Sequence, residues 1–323
     1  MACLLLEADV RRLLTMDEAL KALEDAFRAA ARGDALNVPR QRGALHGITI
    51  NTMGAISTAL DAAGVKCYPV VRKDITVGSS FTFLVYRIST GALVGVMEAN
   101  ALSQIRTGAA SGIATRYLAR DDSRVMTMFG AGWQAETQLE AIARVLPKLE
   151  RVNVVGRSPE RARRFCDVMS KRVELDVIMA PDPEAAVAEA DVITTITGSR
   201  EPVFEGRWLR PGVHINAAGS NYAEKRELDA TAVKRADRIV VDDLPLARIE
   251  SGDLLGAEAQ GCLDWSTVQP LSALVAGSVP GRTSRDQITL FESHGLALED
   301  LAVACRVLDL ARERGIGMEI PIK

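Results

Sequence analysis

Histidine is scarce in this chain: three residues in 323, none of them in an H-x-x-x-H arrangement. The five cysteines, Cys3, Cys67, Cys166, Cys262 and Cys305, stand far apart with no C-x-x-C pair. The first shortage argues against a catalytic metal. The second reads as buried thiols of a reducing compartment, not a disulfide frame or a zinc site. Basic excess is missing too: 39 Lys and Arg face 42 Asp and Glu, for a net charge of −3. No positive field is available to hold a nucleic-acid backbone, so no nucleic-acid partner is expected. Long apolar runs are also absent. The apolar opening, Ala2 to Leu6, is broken by Glu7 and Asp9 and is too short for a secretory leader or a membrane span, so a cytoplasmic protein without membrane association is expected. There is no internal repeat and no low-complexity segment.

What is present is an ordinary globular composition, 48% apolar and 25% charged, on a chain long enough for two domains. Residues 15–32 predict a helix: Thr15 and Glu18 fit a capping box, Leu20, Leu23, Ala26, Phe27 and Ala30 form one apolar face, and Gly33 follows as a C-terminal stop. Between Asn37 and Asn100, short β-branched runs broken by glycines predict a mostly antiparallel region, with a hairpin turn around Ser89 to Gly91. A small-residue helix, "ALSQIRTGAASGIATRYLA", comes next. From Arg124 strands and helices alternate, which predicts a doubly wound parallel sheet with right-handed crossovers. The last helix, residues 298–314, lies beyond that unit and is expected to return to the N-terminal part.

The most specific local motif is "MTMFGAGWQAETQLEA". A buried strand runs into Gly130-Ala131-Gly132 and then straight into a helix with Ala135 at the third small position. This is the G-x-G-x-x-G/A pattern of a dinucleotide site: Gly130 for the tight turn, Gly132 for close approach of a pyrophosphate, and the helix N-terminus for its charge. The next strand ends at Gly156-Arg157-Ser158, with Arg161 one turn on. Where an acidic residue would bind the ribose hydroxyls of NAD, a cation and a hydroxyl suit a 2′-phosphate, so NADP(H) is the preferred expectation. Stacking of Arg157 on adenine, with Arg161 solvated, would leave NAD(H) possible.

The segments "QIRTGAASGIATRYLA", "GAGWQAETQLEA", "TTITGSREPVF…WLRPGVHINAAGSN…KRELD", "SGDLL" and "ITLFESHGLALEDLA" resemble the ornithine cyclodeaminase/μ-crystallin family over nearly the whole chain. The resemblance implies an α/β architecture. A Rossmann doubly wound sheet at 121–296 would be inserted into an α+β substrate-binding and dimerisation domain at 1–120, completed by the C-terminal segment 297–323, and the protein would be a homodimer. Family members include cyclodeaminases, amino-acid dehydrogenases, ketimine and pyrroline-carboxylate reductases, and a hormone-binding crystallin. The resemblance further implies that Arg40 clamps the substrate carboxylate, with Arg42 close enough to compete. Lys66 would be the active-site lysine, and Arg106 would reach both substrate and cofactor. Ser80, Thr107, Trp133, Gln134, Arg157, Thr197, Asn216, Gly219, Lys225 and Ser293 would serve the cofactor. Read without the family, Lys66 is a snorkelling strand residue, Arg106 a helix-surface charge, and Thr197 and Ser293 strand-end hydroxyls.

One departure bears on the reaction. Cyclodeaminases carry an aspartate after the "INA.G" strand, and this chain reads Gly219-Ser220-Asn221. Asparagine has no proton-transfer equilibrium near neutrality, although it can orient a water, an amine or the nicotinamide amide. Ring closure with ammonia loss is thereby disfavoured against simple hydride transfer. The expected activity is NAD(P)H-dependent reduction of cyclic or acyclic α-imino acids, with amino-acid oxidation as its reverse. A cyclodeaminase and a non-catalytic cofactor-dependent binding protein are the alternatives. His294 stands where the family has a small apolar residue by the substrate pocket, so it is a candidate contact, while His46 and His214 read as structural. Asp242-Asp243 and Glu98 read as a helix cap and a strand end, and no metal is expected.

Overall fold

The computed structural model describes residues 1–71 and 80–322, so residues 72–79 of the expected antiparallel stretch lie outside the description. The chain forms two compact units, Met1–Arg106 with Leu296–Lys323, and Thr107–Gly295.

In chain order the first unit contains β1 (Ala2–Leu5), α1 (Glu7–Leu13), α2 (Met16–Ala31), β2 (Ala35–Leu45), β3 (Ile48–Ser57), β4 (Ala62–Val71), β5 (Thr82–Arg87) and β6 (Leu93–Glu98), and then the start of α3 (Asn100–Leu118). Half of the capping box expected for α2 forms: the Thr15 side chain accepts from the Glu18 N–H, while the Glu18 carboxylate accepts from Arg306 instead of turning back to Thr15, and Gly33 adopts φ +80° just beyond the helix end. Strands β2 to β6 pair antiparallel in sequence order. The apolar chain opening forms β1, which lies parallel to β6 and antiparallel to the last strand of the chain, residues 318–320.

The second unit continues with β7 (Val125–Phe129), α4 (Trp133–Val145), β8 (Arg151–Val155), α5 (Pro159–Val173), β9 (Asp176–Met179), α6 (Pro183–Glu189), β10 (Val192–Thr195), β11 (His214–Ala217), α7 (Ala230–Arg235), β12 (Arg238–Val241), α8 (Leu244–Glu250), α9 (Gly252–Glu258), β13 (Val268–Pro270), α10 (Leu271–Val275) and β14 (Thr289–Glu292). Its eight strands are all parallel, in the order β13-β12-β14-β11-β10-β7-β8-β9. The order reverses at β7, the switch point at which open α/β sheets bind ligands. Alternation along β7 builds both core layers. Met126 and Met128 join Leu139, Ile142 and Phe165 on one face, and Phe129 joins Ile193, Phe204 and Leu254 on the other.

Residues 107–120, expected with the N-terminal domain, group with the second unit. The cause is local: Thr115 accepts a hydrogen bond from the Asn216 amide, the Leu118 carbonyl accepts from Thr289 Oγ1, and a Cβ at Gly108 would collide with the Thr137 backbone of α4. The small residues of α3 therefore admit another helix.

The chain closes with α11 (Ala297–Arg314) and β15 (Met318–Ile320), both in the first unit. The α11 helix packs on α2 and on one face of β2 to β5. The other face of that sheet is apolar and open: Ile48, Ile50 and Ile56 of β3 and Val65 of β4 stand on it, with Ile50 50% exposed.

Candidate active site

In the second unit, Phe129, Thr195, Ala217 and Glu292 lie side by side in the parallel register, so the residues that follow them line one carboxyl edge of the sheet. Gly130, Gly132, Trp133, Gln134, Thr197, Gly219 and Ser293 all fall on this edge. Gly130 has φ +113°, and a Cβ there would collide with the Ile196 carbonyl, so only glycine fits where β7 and β10 diverge. Gly132 caps α4 without a side-chain hydrogen bond, leaving the first N–H groups of a 13-residue helix facing outward. Two polar atoms on the edge are buried with no protein partner, Gln134 Oε1 and the Ser293 hydroxyl. Orphaned groups beside an open glycine turn and a helix N-terminus fit a bound dinucleotide. Beyond β8, Arg157 and Arg161 are exposed, and the Ser158 hydroxyl accepts from the Arg161 N–H as the cap of α5.

Other predicted residues are engaged differently. Asn216 is fully buried in β11, with Oδ1 3.2 Å from His214 Nε2 and its amide donating to Thr115 at 2.9 Å. This side chain ties the sheet to α3. Burial, assisted by Arg282, pushes His214 down to about 3, so its ring is neutral at physiological pH. The His294 side chain is also fully buried, its Nδ1 3.2 Å from Asp242 and its Nε2 3.8 Å from Glu292. Burial opposes the charge on Asp242, yet the His294 ring and the N–H groups of His294 and Gly295 hold its carboxyl below the ordinary range. Asp243, as expected of a cap, accepts from the Leu246 N–H, and Glu98 accepts from the Glu7 N–H. Lys225 lies over the Tyr222 ring, and Asn221 occupies the loop after β11 between Ser220 and Tyr222, whose side chain and N–H bond each other. Thr107 opens the unit, its carbonyl accepting from Gln138.

In the first unit, the predicted cations meet on the α11 side of the sheet. Lys66 of β4 is 2% exposed, and its Nζ lies 3.2 Å from both carboxylate oxygens of Asp300. Arg106 donates to Asp300 at 3.0 Å and to Glu299 at 2.8 Å. The Lys66 Nζ also lies 5.0 Å from the Phe81 ring centroid and 5.7 Å from that of Tyr68. Burial lowers Lys66 to about 8; Arg106 and Arg40 push the same way, and Asp300 opposes them. Burial opposes the charge on Arg106 too, but Asp300 and Glu299 outweigh it and hold the guanidinium above its ordinary value. Arg40 is buried because the pairing of β2 with β3 slips between Val38 and Gln41, a bulge that admits Pro39 and turns Arg40 inward. Arg40 weighs on both Lys66 and Tyr68, whereas Arg42 is felt at Tyr68 and there less than Arg40. Ser80 is exposed one residue before Phe81.

Among the described residues, no group of three or more His, Cys, Asp or Glu is placed to hold a metal, and no helix is long and apolar enough to cross a membrane. The sequence model of the ornithine cyclodeaminase/mu-crystallin family matches residues 2–315.

The chain belongs to the ornithine cyclodeaminase/mu-crystallin family.

Similar members of the ornithine cyclodeaminase/mu-crystallin family include the alanine dehydrogenase of Archaeoglobus fulgidus, 34% identical over 327 residues, 98% of this chain and 97% of the relative. The Δ1-pyrroline-2-carboxylate reductase of Thermococcus litoralis, solved with NADH and L-proline, is 33% identical with a TM-score of 0.94, over 98% of this chain and 100% of that one. An archaeal alanine dehydrogenase dimer with bound NAD is 34% identical with a TM-score of 0.93, over 100% of this chain and 99% of that one.

In this member of the family the sequence reading did not single out Asp300, Glu299, Tyr68 or Glu227. Two acids inside the buried run Ala297–Ala304 are the available sign for Asp300 and Glu299, because an acid on an apolar helix face requires a partner. Tyr68 follows Lys66 by two and so shares its side of the strand.

Proposed function

We propose that this protein is an NAD(P)H-dependent reductase of cyclic or acyclic α-imino acids, which in reverse oxidises L-amino acids. The observation that carries the reading is the buried Lys66, held by Asp300 next to Arg106 and Arg40, with its pKa lowered to about 8. A permanently charged guanidinium suits a substrate carboxylate, and a lysine with that pKa suits proton donation near neutrality. In this mechanism Arg40 and Arg106 bind the carboxylate, and Lys66, directly or through a water, gives a proton to the imine nitrogen. Asp300 keeps Lys66 protonated and aimed. When bound, the dinucleotide supplies the hydride. Gly130, Gly132, Trp133, Gln134, Thr197, Gly219 and Ser293 would hold its pyrophosphate and nicotinamide parts, and Arg157 with Arg161 its adenosine end. A panel of cyclic ketimines and L-amino acids, followed by the absorbance of NADH and NADPH, tests the reading. No turnover across the panel overturns it.

We also propose that NADPH is preferred, because Arg157 and Arg161 stand exposed at the end of β8, where a 2′-phosphate would lie. Arg157→Asp is expected to shift the ratio of kcat/KM for NADPH over NADH by at least about tenfold toward NADH, through loss of a charge-assisted bond and gain of repulsion. A wild type that uses both cofactors equally would overturn the preference.

Asn221 argues against ornithine cyclisation. With catalytic NAD+ or NADP+, the wild type is expected to release no measurable ammonia or proline from L-ornithine, and Asn221→Asp is the variant in which such activity would emerge. Robust proline formation by the wild type would restore the cyclodeaminase reading. The open apolar face carrying Ile48, Ile50, Ile56 and Val65 supports a homodimer built through the first unit. All five cysteines are free thiols, which supports a reducing cytoplasm.

A further inference from the structure

Glu227 lies in the loop after β11 with its side chain buried. Its carboxylate gathers two neighbouring loops. Oε1 accepts from the Thr197 N–H at 2.6 Å, while Oε2 accepts from the Gly219 N–H at 2.8 Å and from the Thr195 hydroxyl at 3.0 Å. Thr195 ends β10, and Gly219 follows β11. The Glu227 backbone is itself fixed, its N–H donating to Asp253 at 2.7 Å and its carbonyl accepting from Val203 at 2.8 Å. A Cβ at position 219 would collide with the Glu227 carboxylate, so the glycine is what permits the contact. One acid thus clamps the two loops that carry Thr197 and Gly219.

We propose that Glu227 is a positioning residue for the dinucleotide: ionised, it draws the loops after β10 and β11 into place, and when it takes up a proton they loosen, so that cofactor affinity falls on acidification. This rests on the dinucleotide reading given above.

Three hydrogen bonds would ordinarily hold a carboxyl well below neutrality. Burial instead raises Glu227 to about 7; the Thr197 contact opposes the rise and Asp253 adds to it. The charged and titratable groups around it are Asp253 on α9, itself raised to about 6, and Glu292 on β14, raised by burial and by its acidic neighbours. Arg226 and His294 act on Asp253. Above neutrality the carboxylate accepts from all three donors. Below it, one oxygen carries a proton that faces an N–H or must turn the Thr195 hydroxyl around, and the remaining bonds lose their charge assistance.

The test is NADH binding to substrate-free protein, followed by cofactor fluorescence from about pH 8.5 down to about pH 6. NADH lacks the 2′-phosphate, and no substrate is present. The wild-type Kd is expected to rise several-fold over that range. In Glu227→Gln, which has a single acceptor oxygen for two N–H groups, the Kd is expected to be raised about tenfold at the alkaline end and to change little on acidification. Glu227→Asp keeps the charge and should keep the pH dependence, and with the wild-type titration it decides the matter even if the glutamine variant does not fold. A wild-type Kd that is independent of pH, or a glutamine variant with wild-type affinity, would overturn the inference alone. Failure of the wild type to bind either NADH or NADPH would sink the dinucleotide reading and this inference with it.

Discussion

Lys66→Met is expected to lower kcat for imine reduction by about 100-fold to 10,000-fold, the range spanned by a positioned general acid. Methionine keeps most of the stem volume and removes the charge and the proton. The Asp300 carboxylate is not orphaned by the change, because Arg106 still donates to it at 3.0 Å, so the fold should persist. Steady-state rates and NADH titration on the same sample separate the two properties: turnover lost, cofactor affinity kept. Activity above about a tenth of wild type would remove Lys66 from the mechanism. The wild-type profile should carry the same mark. With Lys66 at about 8, the reductive rate falls as pH rises through that value, because the proton donor is lost, and the oxidative rate rises there, because a base appears.

Asp300→Asn should produce the largest loss of stability. The carboxylate is completely buried and is shared by Lys66 and Arg106. Its neutralisation leaves two buried cations with Glu299 alone, and breaking a buried pair of this kind costs about 3–5 kcal/mol. Urea unfolding should show that loss as a lower midpoint with an unchanged slope. In any variant that folds, the falling limb of the reductive rate should move to lower pH, since Asp300 is the group that opposes the lowering of Lys66 by burial and by the arginines. Wild-type stability combined with an unmoved limb would contradict the assigned role.

Elements whose cause is local were legible in the order of residues alone. The α2 helix follows from Thr15, Glu18 and a 3.6-residue apolar period, and the dinucleotide turn from Gly130 and Gly132 between a buried strand and a helix. The alternation of strands and helices from Arg124 onward carries the parallel sheet for the same reason: each crossover is built from neighbouring residues. Lys66, Arg40 and Arg106 became candidates through family resemblance, since a lone cation on a strand or helix carries no chemistry of its own. Their surroundings come from long-range packing. Asp300 lies 234 residues from Lys66 along the chain, and nothing short of α11 packing on β4 brings the two to 3.2 Å. The same holds for Glu227, whose partners Thr195 and Thr197 stand at and just beyond the end of β10, and for β1, which is only four residues long and becomes a strand because β6 and β15 flank it. Burial is what moves Lys66 and Glu227 toward neutrality, and burial belongs to the packed fold, because desolvation depends on every neighbour and no spacing along the chain encodes it.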